Sequence, residues 1–312
     1  MSAAPTPPTV GGMILANAPA VMVSQVTLGF TCYTAEPLVW AREGALAMFR
    51  ELVALDTARE LAWYTSSETH SVFAYNESRR ADIEHDLPVP WTSARPRQLY
   101  RFQIMDFPSA PKIGMRYREV DGRSARTGHV EFFLPEASEP ARLREVVTKL
   151  GNSFPFESVV AGHLMSWDED ERPSAFSALR RWSKRYLGID AQDPDRMAWR
   201  AHSGLPGISW LTLIGNGLLE RLEIDRSALL QHRWQQPVEV RELKHGLMIQ
   251  AGPEPTLGDL NHFEQPLAYQ EVAVHLAPYF VAEPPKFYGE FLQHEDAEAW
   301  FRRLIDPLSW GE

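Results

Sequence analysis

The sequence predicts an α+β protein in which helices pack on antiparallel-rich sheets. Three observations carry that expectation. Short runs alternate with period two: Val26, Leu28, Phe30 and Cys32 point one way, Gln25, Thr27, Gly29 and Thr31 the other. Longer stretches between them place apolar residues at helical spacing. Turn chemistry, at Asp121-Gly122 and at Lys244-His245-Gly246, separates neighbouring strand-like runs and favours antiparallel pairing.

In chain order, residues 1–20 are small and Pro-rich, with no Lys or Arg in the first dozen residues to open a signal peptide. They are expected to be a flexible arm ahead of one domain spanning 21–310. After the strand at 22–33, Pro37 opens a helix with Leu38, Ala41, Ala45, Met48, Phe49 and Leu52 as its buried stripe. A short strand is expected near 71–75, then a polar loop from 76 to 96. Strands follow at 99–107, 112–120 and 129–134. Pro140 opens a second helix with Leu143, Val146, Val147 and Leu150 in register, and Gly151 reads as its C-cap. A strand at 156–165 closes the first half.

Trp167, Asp168, Glu169, Asp170 and Glu171 read as an exposed acidic link between halves at about 21–167 and 172–310. Pro173 starts the next helix, with Phe176, Leu179, Ser183, Tyr186 and Leu187 at helical spacing and Gly188 as its stop. The second half continues with a strand at 208–214, a short helix holding Leu218, Leu219 and Leu222, and a hairpin of Val238–Leu243 and 247–251. A helix lined by Ala268, Tyr269, Val272, Ala273 and Leu276 ends at Pro278. A last helix at 296–305 buries Ala297, Trp300, Phe301 and Leu304. Each half thus reads strand, helix, two strands, helix. That order suits a diverged duplication of a ferredoxin-like unit, as two similar layers sharing one core, and it also suits coincidence.

Composition sets limits. At 312 residues, 44% hydrophobic and 23% charged, the chain can bury a large core and is neither disordered nor fibrous. Ten Trp residues suggest a rigid aromatic core or interface. The single Cys32 excludes a disulfide framework and fits a reducing compartment, so a cytoplasmic location is expected. With 41 acidic and 31 basic residues the net charge is −10, which disfavours direct nucleic-acid binding and favours basic partners or plain solubility. The apolar patch at 13–23 is too short and broken to span a bilayer, and no later window is longer, so no membrane contact is expected.

No catalytic motif emerges. The histidines are scattered without HExxH or paired CxxC spacing. His262 and Glu264 near Asp259 could meet, but exposed polar groups at a helix start account for them, and neither a metal nor a cofactor is expected. Cys32, on the apolar side of a strand, reads as a small hydrophobe, and there is no GxSxG elbow. The segment 252–259 has glycines but two prolines and no phosphate-loop continuation. Asp259 or Asn261 is expected to cap the following helix. For the acidic link two readings stand open: a solvated linker, or an anionic patch with Trp167 as aromatic anchor for a basic partner.

Several blocks together resemble the type VI immunity protein family. They are Trp210-Leu211-Thr212 with Gly215, then Gln250-Ala251-Gly252-Pro253, Pro255, Gly258-Asp259, Asn261 and Pro266 through Tyr269. Arg185-Tyr186-Leu187-Gly188-Ile189-Asp190 precedes them in the same order. The layout extends from about residue 22 to about 305. Two positions depart from the family pattern: Glu223 stands where a glycine often ends the short helix, and His262-Phe263 where a basic residue and a glycine follow the Asn. The resemblance implies a non-enzymatic antitoxin that binds a cognate type VI effector, in some members a nuclease, and occludes its active site. The framework residues Trp210, Gly215, Gly252, Pro253, Gly258, Asp259 and Asn261 are expected to build the fold. Toxin contacts are expected on 76–97, 282–293 or, as the first choice, Trp167, Asp168, Glu169, Asp170 and Glu171. An enzyme that detoxifies the effector or its product and an adaptor of the secretion apparatus are the alternatives; the oligomeric state is left open.

Overall fold

A computed structural model describes residues 12–14, 22–34, 36, 42–66, 69–86, 101–119, 127–287 and 294–311. Its elements in chain order are β1 (Gly12–Ile14), β2 (Met22–Thr34), α1 (Arg42–Leu55), β3 (Trp63–Ser66), β4 (Thr69–Ala74) and α2 (Glu77–Asp86). There follow β5 (Arg101–Met105), β6 (Gly114–Arg118), β7 (Gly128–Pro135), α3 (Pro140–Ser153), β8 (Ser158–Trp167), α4 (Arg172–Arg185) and α5 (Pro194–Met197). The chain ends with β9 (Leu211–Gly215), α6 (Asn216–Arg221), α7 (Arg226–Gln231), β10 (Val238–Leu243), β11 (Gly246–Ala251), α8 (Leu267–Leu276), α9 (His294–Phe301) and α10 (Pro307–Gly311).

All eleven described strands join one sheet, in the order β10-β11-β9-β8-β2-β7-β6-β5-β3-β4, with β1 beside β2, and every strand pairing is antiparallel. The first half contains the ferredoxin-like arrangement: β2, β6, β7 and β8 lie in the order fourth-first-third-second, with β3, β4, α2 and β5 inserted after α1. In the second half β9, β10 and β11 lie in the order first-third-second, and β8 occupies the place beside β9 where a fourth strand would sit. The two halves therefore share β8 in one continuous sheet. The expectation of two layers is corrected, because β8 pairs with β2 on one side and β9 on the other.

Register divides the sheet into two chemically different faces. Phe30 and Cys32 of β2, Phe132 and Val130 of β7, Ala161 and Val159 of β8, and Leu211 and Leu213 of β9 line one face. On it lies α3, whose Leu143, Val146, Val147 and Leu150 are buried, with α1 beside it. Phe30 and Phe132 stack at 5.1 Å across the strands. Cys32 is buried here and free, and burial pushes its thiol well up. The opposite face carries Tyr33, Thr31, His129, Glu131, Arg118 and Arg116, all in register.

Several local expectations need correction. Gly151 does not cap α3 but lies inside it, where a Cβ would strike Leu243 of β10; the need is close packing, and Phe154 takes the cap. The loop expected from 76 contains α2, a polar helix whose Ile83 is buried. Within the expected flexible arm, β1 pairs with β2; the rest of that arm, residues 37–41 and the Asp121-Gly122 turn lie outside the described residues. The hairpin, α8 and the buried residues of α9 are as expected.

Candidate functional site

The acidic link is not the exposed patch that its composition suggests. β8 runs through Trp167, which is 3% exposed and meets Phe176 of α4 edge-on at 5.2 Å. Its role as an accessible aromatic anchor is thereby corrected: the ring is core. Glu169 turns inward, where Arg118 donates to both of its carboxylate oxygens at 3.1 and 3.0 Å. Burial opposes its ionisation, but Arg116, Arg118 and Arg172 outweigh that and hold the carboxyl below its usual range. Asp168 accepts from the backbone of Asp170 at 2.9 Å, and Glu171 accepts from the Ser174 hydroxyl at 3.2 Å. Asp170 is the exposed member of the five.

Around Glu169 lies a network that composition does not reveal. Arg116, 3% exposed, donates to the Trp167 carbonyl at 3.2 Å and lies 3.8 Å from Glu169. Arg118 also pairs with Asp195 at the start of α5, and Arg172 reaches Asp195 at 3.1 Å and Asp193 at 3.7 Å. These ion pairs fasten α5 and the first turn of α4 to the polar face of the sheet. Buried arginines persist only where carboxylates and carbonyls replace water, and removing one partner of such a set costs about 3–5 kcal/mol. Glu131 lies beside Arg116 on this face, and burial lifts its carboxyl from 4.5 to about 7 against the pull of Arg116.

The framework residues come together as structural devices. Trp210 is fully buried and its indole N–H donates to the Gly252 carbonyl at 3.1 Å. Gly252 and Gly258 have φ of 90° and 63°, the left-handed region where a side chain is strained. At Gly215 a Cβ would collide with the Phe156 carbonyl, and Pro253 is exposed in the turn. The block at 185–188 pairs with the block at 257–259: Leu187 N–H donates to the Gly258 carbonyl at 3.2 Å and Gly188 N–H to the Leu257 carbonyl at 2.9 Å. Arg185 clasps Asp259 through two bonds of 2.8 and 2.7 Å.

Asp259 also accepts from the Asn261 backbone at 3.0 Å and contacts His262 Nδ1 at 2.8 Å. Arg185 above all, with His262 and Asn261, holds the Asp259 carboxyl down at about 2. It caps the short 3-10 turn Leu260–His262 and not α8, which starts at Leu267 with Pro266 at its cap position and no side-chain cap. Asn261 itself is exposed. Among the described residues no group of three or more His, Cys, Asp or Glu is arranged to hold a metal. The two departures from the family pattern share one backbone cause: Glu223 and Phe263 have φ of 54° and 58°, so each occupies a left-handed position that glycine would fill without strain. Phe263, marked in the sequence only as a departure from the family pattern, is 93% exposed. At the other end of α8, His275 meets His232 and Trp234 at ring distances of 4.3 and 5.2 Å. None of the described helices is long and apolar enough to cross a membrane.

A search among curated proteins found no match. Among solved structures the chain is similar to the Pseudomonas aeruginosa T6SS protein PA0821, at 19% identity and a TM-score of 0.74, over 93% of this chain and 88% of that one. At that identity the likeness speaks for the fold. A comparison with protein families matches residues 47–304 to the family described as type VI immunity for VRR-NUC, and the chain belongs to that type VI immunity family.

Proposed function

We propose that this protein protects its producer by binding a cognate type VI effector of the VRR-NUC class and covering the cleft in which that effector holds nucleic acid. The family match over residues 47–304 carries the reading. The chemistry supports it. A cleft that holds phosphates must be cationic, and a chain of net charge −10 is a suitable counterpart that does not itself compete for nucleic acid. Occlusion requires no turnover and no cofactor, and it acts in the cytoplasm, where the nucleic acid is. Of the link, Asp170 remains available for such contact, while Trp167 and Glu169 serve the fold.

The test is co-expression with the effector encoded beside this chain's gene, followed by purification of both. Survival of cells carrying the pair and a complex that persists through size exclusion are expected. A purified pair that stays separate and a nuclease that remains fully active beside a molar excess of this protein would overturn the reading.

A further inference from the structure

The segment from the glycine-proline turn to the end of α8 makes a surface of unusual composition. Between Lys244 and Lys286 the chain has no Lys or Arg, yet it has Glu254, Asp259, Glu264, Glu271 and Glu283. Asp259 is turned inward to Arg185, while Glu254 and Glu264 are exposed. Three large apolar side chains stand out of this acidic ground: Phe263 at 93% exposure, Leu267 at 47% and Val274 at 58%. Leu267, Glu271 and Val274 share one face of α8, being spaced by four and then three residues. Phe263 lies just ahead of that helix.

Phe263 is unfavourable to the isolated protein on two counts. Its ring is in water, and its backbone has φ of 58°, an outlier for a bulky side chain. The loop that carries it is nonetheless fixed. Phe263 N–H donates to the Leu260 carbonyl at 3.2 Å, Glu264 N–H donates to the Asp259 carbonyl at 3.0 Å, and Asp259 is clasped by Arg185. A rigid loop that displays a large ring loses little conformational freedom when that ring is buried by a partner. Strain maintained at an exposed position is the mark of a local geometry kept for use.

We infer that this face is where the effector docks, with Phe263 as the anchor entering an apolar socket bordered by Lys and Arg, and Leu267 and Val274 extending the contact. The inference rests on the immunity reading above. Charge selects the occupant. The arginines that reach this face, Arg185 and Arg200, lie against Asp259 and Glu283, while Glu254 and Glu264 are exposed; that balance fits a cationic partner, such as a phosphate-holding cleft, better than a second copy of a chain of net charge −10.

The experiment titrates the purified, catalytically inactivated effector encoded beside this gene against the full-length chain and its Phe263→Gly, Val274→Arg and Glu254→Lys variants. Phe263→Gly is decisive, because strain relief and contact loss pull in opposite directions. Its melting temperature is expected to hold or rise, while affinity falls at least ~30-fold. Val274→Arg should weaken binding about 10-fold with an unchanged melting temperature, and Glu254→Lys should slow association at low salt. A wild-type chain that does not bind overturns the immunity reading and this inference with it. A wild-type chain that binds, with Phe263→Gly and Val274→Arg binding within ~2-fold of it, overturns this inference alone. A wild-type dimer that Phe263→Gly dissociates, with effector binding intact, assigns the face to a second copy and likewise overturns it.

Discussion

Replacing Glu131 by Gln should remove a pH dependence from folding. The Glu131 carboxyl is 5% exposed on the polar face of the sheet, and burial raises it from 4.5 to about 7. The folded protein therefore keeps this proton up to about pH 7, while the unfolded chain releases it above 4.5. Folding takes up a proton in that window, so this group's contribution is most favourable below 4.5 and is lost as pH rises through 7. The full shift corresponds to about 3 kcal/mol, of which ~2 kcal/mol is expressed between about pH 5 and about pH 8. Gln keeps the shape and does not titrate. Urea unfolding of both proteins across that range should show the variant gaining on the wild type by ~2 kcal/mol as pH rises. A difference that stays constant with pH would refute the assignment of burial as the dominant influence. Such a constant difference would mean that Arg116 wins and that Glu131 is already ionised in the native state across the whole range.

Three further outcomes follow from the geometry. Trp167→Ala should cost ~3–5 kcal/mol in chemical denaturation, with effector affinity of the remaining folded protein within ~3-fold of wild type; a large affinity loss at unchanged stability would restore Trp167 as a contact residue. Glu223→Gly should stabilise by about 1 kcal/mol, because Glu223, just past the Leu222 cap of α6, has a left-handed backbone; a decrease in melting temperature would contradict the strain argument. Asp259→Asn should lower stability at neutral pH and erase part of the acid sensitivity of the wild type. The Asp259 carboxyl is depressed from 3.8 to about 2, so its contribution is present above 3.8 and lost as pH falls through 2; identical acid-unfolding profiles for the two proteins would refute it.

How much of this was legible in the sequence depends on whether the cause is local. The β10–β11 hairpin is set by alternation and a turn a few residues away, and its strands fall where the pattern puts them. The buried stripe of α8 is equally local. α2 escaped notice because Glu77, Arg79, Arg80 and Asp82 surround a lone buried Ile83, so no apolar stripe marks it. The link misled for the opposite reason. Its charge suggested water, but Arg118, which claims Glu169 through two bonds, stands 51 residues earlier in the chain. The clasp of Arg185 on Asp259 spans 74 residues, so the order of the two blocks was visible and their contact was not. Phe263 carried a signal that could have been read: a bulky residue in a position where glycine was expected.

The shared strand β8 also sets a clock. Thr27 of β2 bonds to Leu164 of β8 across 137 residues of chain, and β8 is the strand that joins β9 to β2. At about 5–20 residues per second of synthesis, the centre of the sheet waits roughly 7–27 s for its second member. Pairings of such long sequence separation are also slow once the chain is complete. During that wait β2 exposes an edge that only β8 can cover. A protein built around that strand cannot be produced at the moment of attack; on the proposed function it must already be in stock when an effector arrives.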